Sequence, residues 1–257
     1  MFGVFDGHGG GEVAKYTKTH FEELLREVEE YKQADFKEGL RKSFLKVDES
    51  LNNGGLEEVA KTKRDNPPSK SPLLKILSDV TKKKSAAESA AQADSGAEGA
   101  ENEDDLALDS IGCTANVAMI DYSTSKLYVA NAGDSRCILG RGGSVVPLSF
   151  DHKPENEIEI ARIEAAGSRV TEGRVDGHLN LTRALGDLKF KKKEELKAEE
   201  HPITANPDVY EYEFSSEVDF LLMGCDGVWE TKSNEEMCEW VYRKLEEASD
   251  RSVESLK

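Results

Sequence analysis

Phe5-Asp6-Gly7-His8-Gly9-Gly10 sets a carboxylate at the end of a short apolar run, directly before a glycine-rich turn that carries one histidine. An aspartate at a strand end beside such a turn can offer side-chain and backbone oxygens to a hard divalent cation. The glycines let the backbone approach a ligand closely. A second Asp-Gly pair closes another hydrophobic run near the far end of the chain, in Cys225-Asp226-Gly227-Val228-Trp229. Two strand ends of this kind can meet around one metal centre. Taken singly, each Asp-Gly is also an ordinary turn pair.

Composition narrows what such a centre could serve. The 257 residues suffice for one large domain or two small ones with a substantial core. Hydrophobic residues make up 37% and charged residues 33%, with a formal net charge of −17. That balance argues against bulk attraction to nucleic acid or an anionic membrane. Cys113, Cys137, Cys225 and Cys238 show no C-x-x-C spacing, so free, buried thiols are expected rather than a zinc site or a disulfide framework. No apolar run approaches the ~18–20 residues of a membrane span. The N-terminus has no basic segment followed by an apolar one, so secretion is not expected. These features predict an intracellular protein, cytoplasmic or nuclear, with no transmembrane segment and no nucleic-acid partner.

Hydrophobic spacing supplies the elements. Val13, Thr17, Phe21, Leu24 and Val28 predict a helix over Glu12–Tyr31, and Phe36, Leu40, Phe44, Val47 and Leu51 predict a second over Ala34–Leu51. From 61 to 107 the composition shifts to Pro, Ser, Ala, Gly and Glu, and a disordered low-complexity insertion is expected. Within it, Leu73-Leu74-Lys75-Ile76-Leu77 reads as a partly helical linker or a docking motif. Ala115–Ile120 with Lys126–Ala130, and Arg136–Leu139 with Val145–Leu148, predict two antiparallel hairpins. Glu155–Ala166 reads as a helix with Ile158, Ala161 or Arg162, and Ala165 on one face, stopped by Gly167. Val218–Met223 is a buried strand leading to Asp226. Ser233-Asn234-Glu235-Glu236 is a capping box opening a last helix that buries Met237, Trp240, Val241 and Leu245. Hairpins in the middle with helices at both ends predict sheets covered by helices.

Seven motifs in order carry a resemblance: Asp6-Gly7-His8-Gly9-Gly10, Gly112-Cys113-Thr114-Ala115, Asn131-Ala132-Gly133-Asp134-Ser135-Arg136, Asp151-His152-Lys153-Pro154, Leu181-Thr182-Arg183-Ala184-Leu185-Gly186-Asp187, Ala205-Asn206-Pro207-Asp208 and Gly224-Cys225-Asp226-Gly227-Val228-Trp229. The chain resembles the metal-dependent serine/threonine protein phosphatases of the PP2C (PPM) family over nearly its whole length apart from 61–107. The resemblance implies an α+β fold, a four-layer α-β-β-α sandwich of two antiparallel sheets flanked by helices. It implies hydrolysis of phosphoserine and phosphothreonine in proteins by a monomer acting on phosphoprotein substrates.

By the same resemblance, Asp6 bridges two Mg²⁺ or Mn²⁺ ions, with Asp226 on one and the Gly7 carbonyl on the other. Asp134 and Glu230 join Asp226 around an additional ion, Glu230 standing where many relatives have Asp. His8 is the implied general acid that protonates the leaving seryl or threonyl oxygen. Cys225 needs no nucleophilic role. Arg183 and Asp187 are expected to form an internal ion pair or to support a loop, and Lys191-Lys192-Lys193 a solvated charged loop or a contact for substrate. The family pattern also places an arginine and a Glu-Asp pair ahead of the first motif and an Asp-Asn motif after the last helix, neither within these 257 residues. The expectation is therefore a partial domain, incomplete at both termini. A catalytically inert, phosphoprotein-binding module is the alternative reading.

Overall fold

The computed structural model describes residues 1–65 and 108–247 and has mixed α+β architecture with antiparallel sheets. The expected insertion lies outside the described residues, including Leu73–Leu77, except for 61–65, which finish a helix. Strands are β1 (Phe2–His8), β2 (Gly112–Asp121), β3 (Lys126–Ala132), β4 (Arg136–Arg141), β5 (Ser144–Pro147), β6 (Val170–Thr171), β7 (Arg174–Val175), β8 (Leu185–Gly186), β9 (Asp208–Glu213) and β10 (Val218–Gly224). One sheet runs β1-β2-β3-β9, with the short β8 also paired to β2; a second runs β10-β4-β5; β6 and β7 form a small ribbon. Both predicted hairpins are present, β2 with β3 and β4 with β5.

Side-chain alternation along β2 explains how the sheets are covered. Cys113, Ala115, Val117 and Met119 face the helices α1 (Glu12–Glu27) and α3 (Phe36–Ser50), packing with Val13, Phe21, Leu40, Phe44 and Val47. Ala118 points the other way and joins Leu127 and Val129 against Cys137, Leu139, Leu148, Leu221 and Met223 of the second sheet and its flank. A strand buried on both faces reads as a continuous apolar run, as β2 does. On the far side of the second sheet, Ile138, Phe220 and Leu222 pack with Trp229, Cys238 and Tyr242.

The helices depart from expectation in four places. The first ends at Glu27, where Val28 turns extended (φ −66°, ψ 128°), and a separate short helix α2 covers Glu29–Lys32. Leu56–Asp65 forms α4 after a turn in which Gly54 takes φ +107°. The predicted face of α5 (Glu157–Ala165) is wrong. Ile158, Ala161 and Ala165 are exposed, and Glu159, Ile163 and the following Ala166 are buried. Here a carboxylate is buried because two arginines neutralise it, as described below. In the last helix, α7 (Asn234–Glu247), the capping box is real: Ser233 N–H donates to Glu236 at 2.9 Å and Glu236 N–H to Ser233 Oγ at 3.2 Å. Its buried positions are Cys238 and Val241, whereas Trp240 is exposed and does not join the core.

Candidate active site

The site forms where strands of the two sheets end side by side. Asp6 and His8 occupy the last turns of β1, and Asp226 begins α6 (Asp226–Trp229) directly after β10. Trp229 folds back so that its indole N–H donates to the Gly224 carbonyl at 2.8 Å, which fixes the sharp strand-to-helix turn presenting Asp226. Ligand atoms of Asp6, Cys225 and Asp226 lie within 4.8 Å of one another, the one such group of His, Cys, Asp and Glu side chains among the described residues.

Negative charge accumulates there. Burial raises the Asp6 carboxyl above its ordinary range, the Asp226 and Asp134 charges raise it further, and His8 acts against them. Carboxylates that disfavour one another's ionisation suit a cation between them. Two partly exposed carboxylates match a hard divalent ion such as Mg²⁺ or Mn²⁺, and the added thiol is the softer donor. Gly7 lies between Asp6 and His8 where a Cβ would come within 2.8 Å of the Gly10 carbonyl oxygen, so the turn folds tightly onto its own backbone.

The remaining predicted residues are placed differently. Asp134 is buried and its carboxylate pairs with the Lys153 ammonium. Burial disfavours the charged form of Lys153, but the bond and charge of Asp134 outweigh it and hold the ammonium above its ordinary range. Glu230 is exposed at the end of α6, its N–H donating to the Asp226 carbonyl at 2.8 Å, and it lies outside the Asp6–Cys225–Asp226 group.

The loop carrying Asp134 is fixed from behind by interlocked polar contacts. Gly133 N–H donates to His152 Nδ1 at 3.2 Å, so that ring carries its proton on Nε2, which lies 3.2 Å from Asp208. Thr114 and Ser135 hydroxyls meet at 2.7 Å, and Asn116 Nδ2 donates to Asn131 at 2.9 Å and to Ser149 at 3.0 Å. Arg136 binds both oxygens of Asp151 at 2.9 Å and lies 5.3 Å from the centre of the Trp229 ring. Motifs far apart in sequence thus support one another through charge-assisted bonds.

Two expectations are corrected. Arg183 does enter a buried ion-pair network, with Glu159 at 2.6 Å and Asp208 at 2.8 Å, joined by Arg162 to Glu159 at 2.8 Å. Asp187 is not part of it: its Oδ2 lies 2.5 Å from His8 Nε2. The lysine cluster is only partly a solvated loop: Lys192, 2.7 Å from Asp109, and Lys193, which donates to the Ala166 carbonyl, are exposed, but the Lys191 side chain is buried on Asp48 and the Ala184 carbonyl. The four thiols are free as expected; Cys225 is half-buried and the other three are buried. Nothing in local sequence spacing ties Asp187 to His8 or Lys153 to Asp134, because both pairs depend on strand and loop register.

Comparison with known proteins agrees with this architecture. The family model described as "Protein phosphatase 2C" matches residues 1–66 and 52–255. The chain is 40% identical over 248 residues to "Protein phosphatase 2C 1" of Paramecium tetraurelia, covering 96% of this chain and 69% of that one. It is 36% identical over 246 residues to "Protein phosphatase 2C homolog 2" of Schizosaccharomyces pombe, covering 95% of this chain and 53% of that one. Among solved structures, a phosphatase from a pathogenic strain of Toxoplasma gondii superposes with a TM-score of 0.63 at 23% identity, over 99% of this chain and 76% of that one. Among the described residues, no helix is long and apolar enough to cross a membrane.

Proposed function

Because this chain belongs to the protein phosphatase 2C family of serine/threonine protein phosphatases, we propose that it hydrolyses phosphoserine and phosphothreonine in proteins at the Asp6–Asp226 centre. The observation that carries this reading is the meeting of Asp6 and Asp226 carboxylates from two different sheets, with His8 two residues from Asp6. Asp6, Asp226 and the Gly7 carbonyl would hold two Mg²⁺ or Mn²⁺ ions. Ions so held would lower the pKa of water and neutralise charge on the phosphoryl group.

The chain's own residues do the rest. Asp6 and Asp226 bind and space the cations. His8 gives a proton to the departing seryl or threonyl oxygen, help worth about 10²–10⁴-fold for a poor leaving group. Asp134 and Glu230 would join Asp226 in holding an additional ion. The packing of helices on one sheet, sheet on sheet, and α7 on the other supports the four-layer sandwich.

Phosphate release from a phosphothreonine peptide, measured with and without Mn²⁺, tests the reading. Turnover should require Mn²⁺, and Asp226→Asn should lower it by roughly 10²-fold or more, since a carboxylate that would hold the cation is lost. Turnover that is indifferent to Mn²⁺ and to Asp226→Asn would refute it.

A further inference from the structure

Three strands bring three residues into one row. His8 of β1 pairs with Gly112 of β2, and Gly112 pairs on its other side with Gly186 of β8. Asp187 follows Gly186 and arches back over that row, so its carboxylate meets the His8 ring across Gly112. Gly112 is bare because the pair fills its space: a Cβ there would lie 2.2 Å from Asp187 Oδ2 and 2.6 Å from His8 Nε2.

Asp187 is also held in place. It is fully buried, its backbone is left-handed at φ +50°, and its N–H donates to the Ile111 carbonyl at 2.9 Å. A non-glycine residue at such an angle is disfavoured, and it persists where the surroundings over-determine it. Those surroundings include Asp48, which accepts the Gly186 N–H at 2.8 Å and is itself anchored by Lys191. Among the described residues, the second oxygen of Asp187, Oδ1, is buried without a hydrogen-bond partner, and the one side-chain hydrogen bond of this carboxylate is to the histidine.

The geometry points to Asp187 as a positioning residue that fixes the orientation and tautomer of His8, keeping a proton on Nε2 and assigning Nδ1 to the leaving oxygen. This rests on the reading of His8 as the general acid. As the oxygen of water bonds to phosphorus, the P–O bond to the seryl or threonyl oxygen breaks. The Nδ1 proton passes to that oxygen and releases the alcohol. His8 is left neutral, its Nε2–H still donated to Asp187 Oδ2. The proton shed by the attacking water goes to solvent, and solvent returns one to Nδ1. A carboxylate behind a histidine holds the ring in its productive tautomer without itself taking the proton.

The leaving group separates this role from a structural one. A phosphothreonine peptide needs the acid, whereas p-nitrophenyl phosphate releases a stable phenolate and depends on it little. With the full chain and Mn²⁺, Asp187→Asn should lower kcat on the peptide at least about tenfold more than on p-nitrophenyl phosphate, with KM little changed, following His8→Gln in kind. If His8→Gln slows both substrates equally, the acid role of His8 fails. If His8→Gln discriminates and Asp187→Asn does not, Asp187 alone is refuted. Nitrogen-15 spectra of the His8 ring in the unsubstituted, Mg²⁺-loaded chain decide the matter even where a variant does not fold or the chain does not turn over. A neutral ring protonated on Nε2, or an imidazolium protonated on both nitrogens and ready to donate from Nδ1, supports the assignment. A neutral ring protonated on Nδ1 alone, or a mixture of the two neutral tautomers, overturns it.

Discussion

Gly112 shows how a missing side chain can be a requirement of the site. Its neighbours on both sides are paired strands, and the space above it holds the His8–Asp187 contact. Gly112→Ala must therefore push the carboxylate or the ring aside, or separate the strands. Overpacking of this sort costs about 1–3 kcal/mol. The expected outcome is a lower melting temperature together with a loss of phosphothreonine turnover that exceeds the loss on p-nitrophenyl phosphate, checked by calorimetry and by kinetics on both substrates. Equal losses on the two substrates would show that Gly112 matters only for folding. The motif around Gly112 was legible in the sequence, as were Asp6 and Asp226, because an Asp-Gly at the end of an apolar run is a local pattern. The sequence expectation for Asp187 is an internal ion pair or loop support with Arg183. Its real partner is 179 residues away, and only the β1-β2-β8 register joins them. Lys153 was hidden for the same reason: its carboxylate partner lies in the loop before β4.

Among the elements, α5 departs most from its hydrophobic pattern. Periodicity ranks Ile158 above Glu159, yet Ile158 is 79% exposed and Glu159 is 2% exposed. Charge pairing reverses the ranking. Glu159 accepts from Arg162, from Arg183 and from the Thr182 hydroxyl, and both arginines go on to bind backbone carbonyls of the 182–206 loop. Burial pushes the Glu159 carboxyl up, but Arg183 and then Arg162 and Thr182 outweigh it and bring it down to about 2. A sequence pattern does not weigh neutralisation by residues on other elements, so this face could not be read from spacing. Trp240 on α7 errs in the same direction, an apolar residue assigned to the core and found 41% exposed. Glu159→Gln keeps the shape and removes the charge, leaving two arginines without their shared counter-ion. Breaking a buried pair on one side costs about 3–5 kcal/mol. Urea unfolding should show that loss with an unchanged m-value, and a loss below about 1 kcal/mol would mean that the arginines find other partners.

Across the whole molecule, the same network sets the response to acid. The chain carries a net charge of −17, so mild acidification first relieves repulsion among surface carboxylates and favours the compact state. Glu159 and Asp208 work in the opposite direction. For Asp208, burial raises the carboxyl, but the bond from His152 and the charge of Arg183 dominate and hold it well below the usual range. A carboxyl lowered in the folded state contributes its full stability above the ordinary carboxylate pKa of about 4 and loses it as pH falls towards the folded value. Stability should hold or rise slightly from pH 7 to about 5, then fall steeply between about 4 and 2, where Glu159 at about 2 still resists protonation in the folded chain but not in the unfolded one. Melting temperature measured across that range gives the slope, and the slope counts protons. In Glu159→Gln the fall below pH 4 should be shallower by about one proton, because the unfolded state no longer gains one there. An identical slope in the variant would place the acid sensitivity elsewhere, in the Asp208 contacts with His152 and Arg183 that tie the Asp134 loop to the α5 network.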